Sequence, residues 1–180
     1  MNVISRFHPR VAQRAPAHIL PDRLAVGLRL WFVGTAAGPK SAAVGAYYAH
    51  GGNRFWRTLH ETGITPRLYA PEEFPLMLGH GVGLTDFCKT GWGVDAQIAR
   101  EAFDVEGFRK KVARLKPDGL AFTSKMAASL WLGRPTGKID IGRHEAKEGP
   151  TVFVLPSPSG LATSYWSIAP WREAANFLRG

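Results

Sequence analysis

The sequence is poor in cysteine, in acidic residues and in long apolar runs, and each shortage removes a class of protein. Its 180 residues contain one cysteine, Cys88. A single thiol cannot form an internal disulfide, a four-cysteine zinc site or a four-cysteine iron–sulfur cluster, and it suits a reducing compartment. Asp and Glu number 14 against 23 Lys and Arg, which sets the net charge at +9. That balance favours a polyanionic partner, either nucleic acid or an anionic membrane surface, and charge alone does not choose between them. The best apolar stretch, residues 24–38, is interrupted by Arg29 and is shorter than the roughly 18 residues a membrane-spanning helix needs. A soluble protein is expected.

What the chain does have is a normal core composition, 45% hydrophobic and 11% aromatic. Its length corresponds to one domain. Residues 1–21 carry Arg6, Arg10 and Arg14, with no acid before Asp22 and with prolines at 9, 16 and 21. They lack the apolar segment of a secretory signal and the amphipathic order of an organellar presequence, so they read as a flexible basic arm, with a single domain over 22–180.

The run Leu28–Val33 reads as a buried strand ending in the small-residue turn 34–39. Further strands are expected at 82–86, 119–123, 137–141 and 151–155. Phe55, Trp56 and Leu59 recur at helical spacing before Gly63, and 72–78 forms a short helical candidate containing Pro75. Asp104 is placed to cap a helix with Phe108, Val112 and Leu115 on one face, closed by Pro117. A helix through Met126 and Leu130 and a final one bearing Trp171, Ala174, Ala175 and Leu178 complete the pattern. Strands alternating with helices predict a three-layer α/β/α sandwich with a mostly parallel central sheet. Ligands in such sheets bind beyond the carboxyl ends of the strands, which directs attention to the loops starting near Gly34, Asp86, Ser124 and Pro156.

The first of these loops, Gly34-Thr-Ala-Ala-Gly-Pro-Lys40-Ser41, comes close to the phosphate-binding pattern G-x-x-x-x-G-K-[ST]. Pro39 stands where the second glycine belongs. It removes a backbone N–H from a loop whose work is to aim N–H groups at phosphate, so nucleotide binding is not expected.

Read onward, the chain gives Tyr47-Tyr48-Ala49-His50-Gly51-Gly52-Asn53-Arg54-Phe55-Trp56, then Gly83-Leu84-Thr85-Asp86-Phe87, then Leu155-Pro156-Ser157-Pro158-Ser159-Gly160-Leu161. In order and spacing this set resembles the mismatch-specific uracil and thymine branch of the uracil-DNA glycosylase superfamily, from about Leu28 to near the C-terminus. The resemblance implies a monomeric base-excision enzyme that flips a damaged base from single- or double-stranded DNA and hydrolyses its N-glycosidic bond. No metal or cofactor is implied, and the expected location is cytoplasmic, with the nucleoid.

The resemblance also assigns roles. Leu161 takes the place of the wedge that fills the gap left by the extruded base. Tyr48 takes that of the aromatic on which the base stacks, a contact worth roughly 1–3 kcal/mol. Asp86 stands where related branches read the base's Watson–Crick edge, commonly with asparagine. An ionised aspartate only accepts hydrogen bonds, so it suits N3–H of uracil and repels O4 unless it is protonated. Ala37 joins the base-binding set, and Ser159, Gly160 and Thr163 the DNA-backbone set; apart from the resemblance, the basic surface offers Lys40, the Arg-rich N-terminal arm and Arg54 or Arg57 as phosphate contacts. Asn53 is expected to tie its loop together, His50 to be structural, and the charged face from Arg109 to Lys116 to be solvated.

Three positions depart from the branch. Ala36 replaces an asparagine that holds the attacking water, Ser157 replaces an asparagine or histidine, and Thr163 aligns with an arginine. Glycosidic cleavage has an oxocarbenium-like transition state, so stabilising the leaving base can carry much of the catalysis. Backbone N–H groups of Thr35 to Ala37 and Tyr48 are candidates for that task, with the side chains of Thr35, Ser41 or Ser157 as candidates for holding water. Two alternatives stay open: a DNA-lesion or abasic-site binding protein with little hydrolysis, and a glycosylase for another deaminated base such as hypoxanthine or xanthine.

Overall fold

The computed structural model describes residues 17–145, 148–162 and 164–180. Strands β1 (Leu30–Gly34), β2 (Val82–Asp86), β3 (Gly119–Phe122), β4 (Gly142–His144) and β5 (Thr151–Val154) form one sheet in the order β2-β1-β3-β5-β4. The first four strands in that order are parallel, and β4 runs antiparallel at one edge.

Every residue of β1 is buried, as expected of a central parallel strand covered on both faces. Leu30 and Phe32 face one core and Trp31 and Val33 the other. The first core is closed by α2 (Phe55–Glu61) and α5 (Ala169–Arg179) through Phe55, Leu59 and Trp171. The second is closed by α3 (Val105–Leu115) and α4 (Lys125–Leu132) through Phe108, Val112, Ala127 and Ala128. These are the three layers the alternation of strands and helices predicts. Asp104 caps α3 by accepting from the Gly107 N–H at 2.8 Å, and Ser124 caps α4 through Ala127 N–H at 3.1 Å.

The structure differs from the sequence reading at four places. The strand expected at 137–141 is instead a 3₁₀ turn, Thr136–Lys138, followed by β4. Ile139 is buried and Ile141 exposed, although residues two apart in a strand share a face, so the segment lacks strand alternation, and the backbone pairs with β5 only from Gly142, opposite Val154. The segment around Pro75 is a 3₁₀ run, Pro71–His80. A short helix, α1 (Pro39–Val44), follows the first glycine turn, with Pro39 in its first turn where a missing N–H costs nothing. Finally, the last residues of the expected arm are packed into the domain. Leu20 is buried, Ile19 N–H donates to Lys89 O at 2.7 Å, and Tyr47 Oη donates to Pro21 O at 3.1 Å. Residues 1–16 lie outside the described residues.

Asp22 fastens this N-terminal strap. It accepts from Thr85 Oγ1 at 2.6 Å and pairs with Lys89 at 2.8 Å and Lys111 at 2.6 Å. Lys111 therefore corrects the expectation of a purely solvated basic face on α3, as does Arg109, whose guanidinium lies over Trp131 at 4.5 Å.

Candidate active site

The parallel register brings the carboxyl ends of β1 and β2 level, with Gly34 opposite Asp86. Beyond them opens a cleft of about 770 Å³, within the usual range for a small-molecule site. It gathers Thr35, Ala36, Ala37, Lys40, Ser41, Tyr48, Asp86, Ser157, Ser159, Gly160 and Leu161 from four separate segments. Thr163 lies outside the described residues.

Asp86 is 5% exposed, and its carboxyl makes no hydrogen bond among the described residues. Burial pushes it up to about 6; Lys89 pulls it down, while Asp22 and Asp95 add to the rise. It does not cap the following loop, because Phe87 N–H and Cys88 N–H donate to Gly34 O and Thr35 O instead. A carboxyl that keeps its proton offers an O–H donor beside a C=O acceptor.

Tyr48 adopts a left-handed backbone, φ 53°, uncommon for a residue with a side chain. Its ring stacks on Phe55 with centroids 3.8 Å apart and planes 16° from parallel, and its hydroxyl lies 3.2 Å from Thr123 Oγ1. Phe55 thus covers one face of the ring, and Tyr48, half-buried, lines the cleft. Tyr47 is the packing member of the pair, buried and bonded to the N-terminal strap. Asn53 Oδ1 accepts the Phe55 N–H at 2.9 Å, tying the loop into α2, and His50 Nδ1 accepts the Gly52 N–H at 3.0 Å.

Leu161 is 87% exposed at the mouth of the cleft. An apolar side chain offered so fully to solvent is not a core leucine. Its loop is nevertheless fixed: Arg54 N–H donates to Pro158 O at 2.8 Å and Trp171 Nε1–H to Pro156 O at 3.2 Å. A Cβ on Gly160 would sit 2.9 Å from Gly52 O, so only glycine permits this contact between the two loops. The Arg54 guanidinium lies over Trp166 at 5.1 Å.

The serines are partly spent. Ser41 Oγ accepts Ala49 N–H at 3.0 Å, Ser157 Oγ accepts Ser159 N–H at 3.3 Å, and Ser159 Oγ accepts Leu161 N–H at 3.3 Å. Among the described residues the N–H groups of Ala36 and Tyr48 have no acceptor within the protein. Both residues line the cleft.

Sequence reasoning missed Leu20, Asp95 and Thr123, which also line the cleft. Thr123 and Ser124 follow β3, and the strand-end rule had marked the Ser124 loop. Asp95 stands in a 3₁₀ turn, Asp95–Gln97, nine residues after Asp86, and no pattern in the sequence marks it.

The fold matches the solution NMR structure of a candidate uracil DNA glycosylase from Methanosarcina acetivorans with a TM-score of 0.62 at 23% identity, covering 89% of this chain and 97% of that one. A family model, the uracil DNA glycosylase superfamily, matches residues 21–178. That match contains the cleft with its glycine turn, its stacked tyrosine and its leucine loop, and the chain belongs to the uracil DNA glycosylase superfamily.

Proposed function

We propose that the protein is a monofunctional DNA glycosylase that extrudes uracil from DNA and hydrolyses its N-glycosidic bond, leaving an abasic site. The observation that carries this reading is the placing of Asp86 and the Tyr48 ring in one cleft, with Leu161 at its mouth. Extrusion costs a few kcal/mol of stacking and pairing. An exposed leucine on a fixed loop is suited to occupy the gap, and Tyr48, backed by Phe55, to stack on the base.

A protonated Asp86 donates its O–H to O4 of uracil and accepts N3–H through its C=O, the pairing that an asparagine amide would make. The N–H groups of Ala36 and Tyr48 are placed to stabilise negative charge on the departing base, the larger requirement when bond breaking leads. Lys40 stands at the cleft as a phosphate contact.

Asp86 also favours a second reading. The C=O beside N–H that it recognises occurs on hypoxanthine and xanthine as well as on uracil, so these deaminated purines are the next substrates to test. The assay incubates stoichiometric protein with single-stranded and duplex oligonucleotides carrying each base, followed by alkaline scission at abasic sites. Scission at uracil supports the proposal. No abasic product from any substrate refutes hydrolysis and favours a lesion-binding protein.

A further inference from the structure

We propose that Asp95, held by Thr35, is the catalytic residue that positions the attacking water and takes its proton. This inference rests on the glycosylase reading given above. Where the related branch has a water-holding asparagine, this chain has Ala36, whose methyl group can neither donate nor accept. The water must be held by something else in the cleft.

The serine oxygens there accept backbone N–H groups and can still hold a water through their O–H, but a neutral hydroxyl does not take its proton, and Asp86 is suited to the base edge. Asp95 differs from all of these. Thr35 Oγ1 donates to its Oδ1 at 2.6 Å, which fixes the carboxylate, and Oδ2 has no partner among the described residues. Its loop is pinned against the turn that carries Ala36: Gly93 N–H donates to Ala37 O at 2.9 Å, and Ala37 forms an isolated parallel bridge with Trp92. Thr35, Ala36 and Asp95 all line the same cleft. A carboxylate from the β2–α3 loop thus reaches Thr35, the neighbour of Ala36 in the glycine turn.

In the step assigned to it, the bond from C1′ to the base nitrogen breaks and the electron pair leaves with the base. A water oxygen bonds to C1′, and the proton that water loses passes to Asp95 Oδ2. Proton exchange with solvent then neutralises the base and restores the carboxylate. A positioned base of this kind is typically worth about 10²–10⁴ in rate.

The test measures single-turnover base release by the full chain from a uracil-containing oligonucleotide. In parallel it measures equilibrium binding to an oligonucleotide bearing a tetrahydrofuran abasic analogue. Asp95→Asn is expected to slow release about 100-fold or more, and Thr35→Val about tenfold, with binding unchanged within twofold. Release at the wild-type rate in both variants overturns the assignment. So does a loss of binding that parallels the loss of rate, because that pattern belongs to a residue that only builds the loop. A wild-type protein that releases no base from any substrate is a different failure, that of the glycosylase reading itself, and is seen before any variant is made.

Discussion

Gly34 and Asp86 stand side by side at the ends of β1 and β2, so close that a Cβ at position 34 would overlap the Asp86 carboxyl oxygen. The glycine of the first motif is therefore tied to the aspartate of another by excluded volume. Gly34→Ala is expected to displace the Asp86 carboxyl, costing about 1–3 kcal/mol of stability as overpacked buried sites do. Base release should fall at least tenfold. Thermal melting and the scission assay check both effects, and a variant with wild-type stability and activity would show that Asp86 can move freely.

Asp86 makes stability depend on pH in a defined direction. Its carboxyl holds a proton up to about 6 in the folded protein against an ordinary 3.8. The folded state therefore binds a proton more tightly than the unfolded chain, and stability falls as pH rises from about 4 to about 6, then levels off. Asp86→Asn removes that cost and should be more stable than wild type above pH 6 by about 3 kcal/mol, since each tenfold difference in proton affinity between the two states is worth about 1.4 kcal/mol. The advantage should disappear near pH 3.5. Uracil release by the wild type should decline as pH rises through about 6, whereas the asparagine variant, which donates at every pH, should show no such decline. Denaturant melts and rate profiles across pH 4–8 measure both.

Leu161 and Tyr48 should separate extrusion from capture. Leu161→Ala changes a side chain that is 87% exposed, so its melting temperature should stay within about 1–2 °C of wild type. Its activity should fall about tenfold on duplexes and little on single strands. Tyr48→Ala removes the stacking surface on Phe55 and should lose about 10- to 100-fold on both substrates, in line with roughly 1–3 kcal/mol per stacked base. Equal losses in the two variants on both substrates would contradict a wedge at 161.

Asp22 should govern acid stability of the N-terminal strap. Burial works to raise its carboxyl, but Lys89 and the hydrogen bonds from Lys111, Lys89 and Thr85 prevail and hold it at about 2. A lowered carboxyl contributes stability that is complete above the unfolded value near 3.9 and is lost as pH falls towards 2. Asp22→Asn should destabilise the protein at pH 7 by about 2–5 kcal/mol, partly because Lys89, only 7% exposed, loses its charge partner. The difference from wild type should shrink below pH 3. An equal difference at pH 7 and pH 2.5 would assign the effect to packing.

Local signals in the sequence carried most of the architecture. Short apolar runs bounded by glycine and proline marked the central strands, and Asp104 marked the start of α3, because burial and capping act within a few residues. The edge strand was displaced because pairing with β5, and not the apolar residues Ile139 and Ile141, decides where β4 starts. The motifs also named much of the cleft: Tyr48 and Leu161 adjoin distinctive strings, whereas the string of Asp86 is weak by itself and stood out only through the order and spacing of the set. What the sequence by itself determined, then, was the layered fold and the residues that converge. Only the tertiary structure decided how they stand to one another: the closeness of Gly34 to Asp86, the raised carboxyl of Asp86 and the reach of Asp95 to Thr35. Each of these comes from contacts between distant parts of the chain, where depth of burial and the nearness of other charges set the chemistry of a side chain.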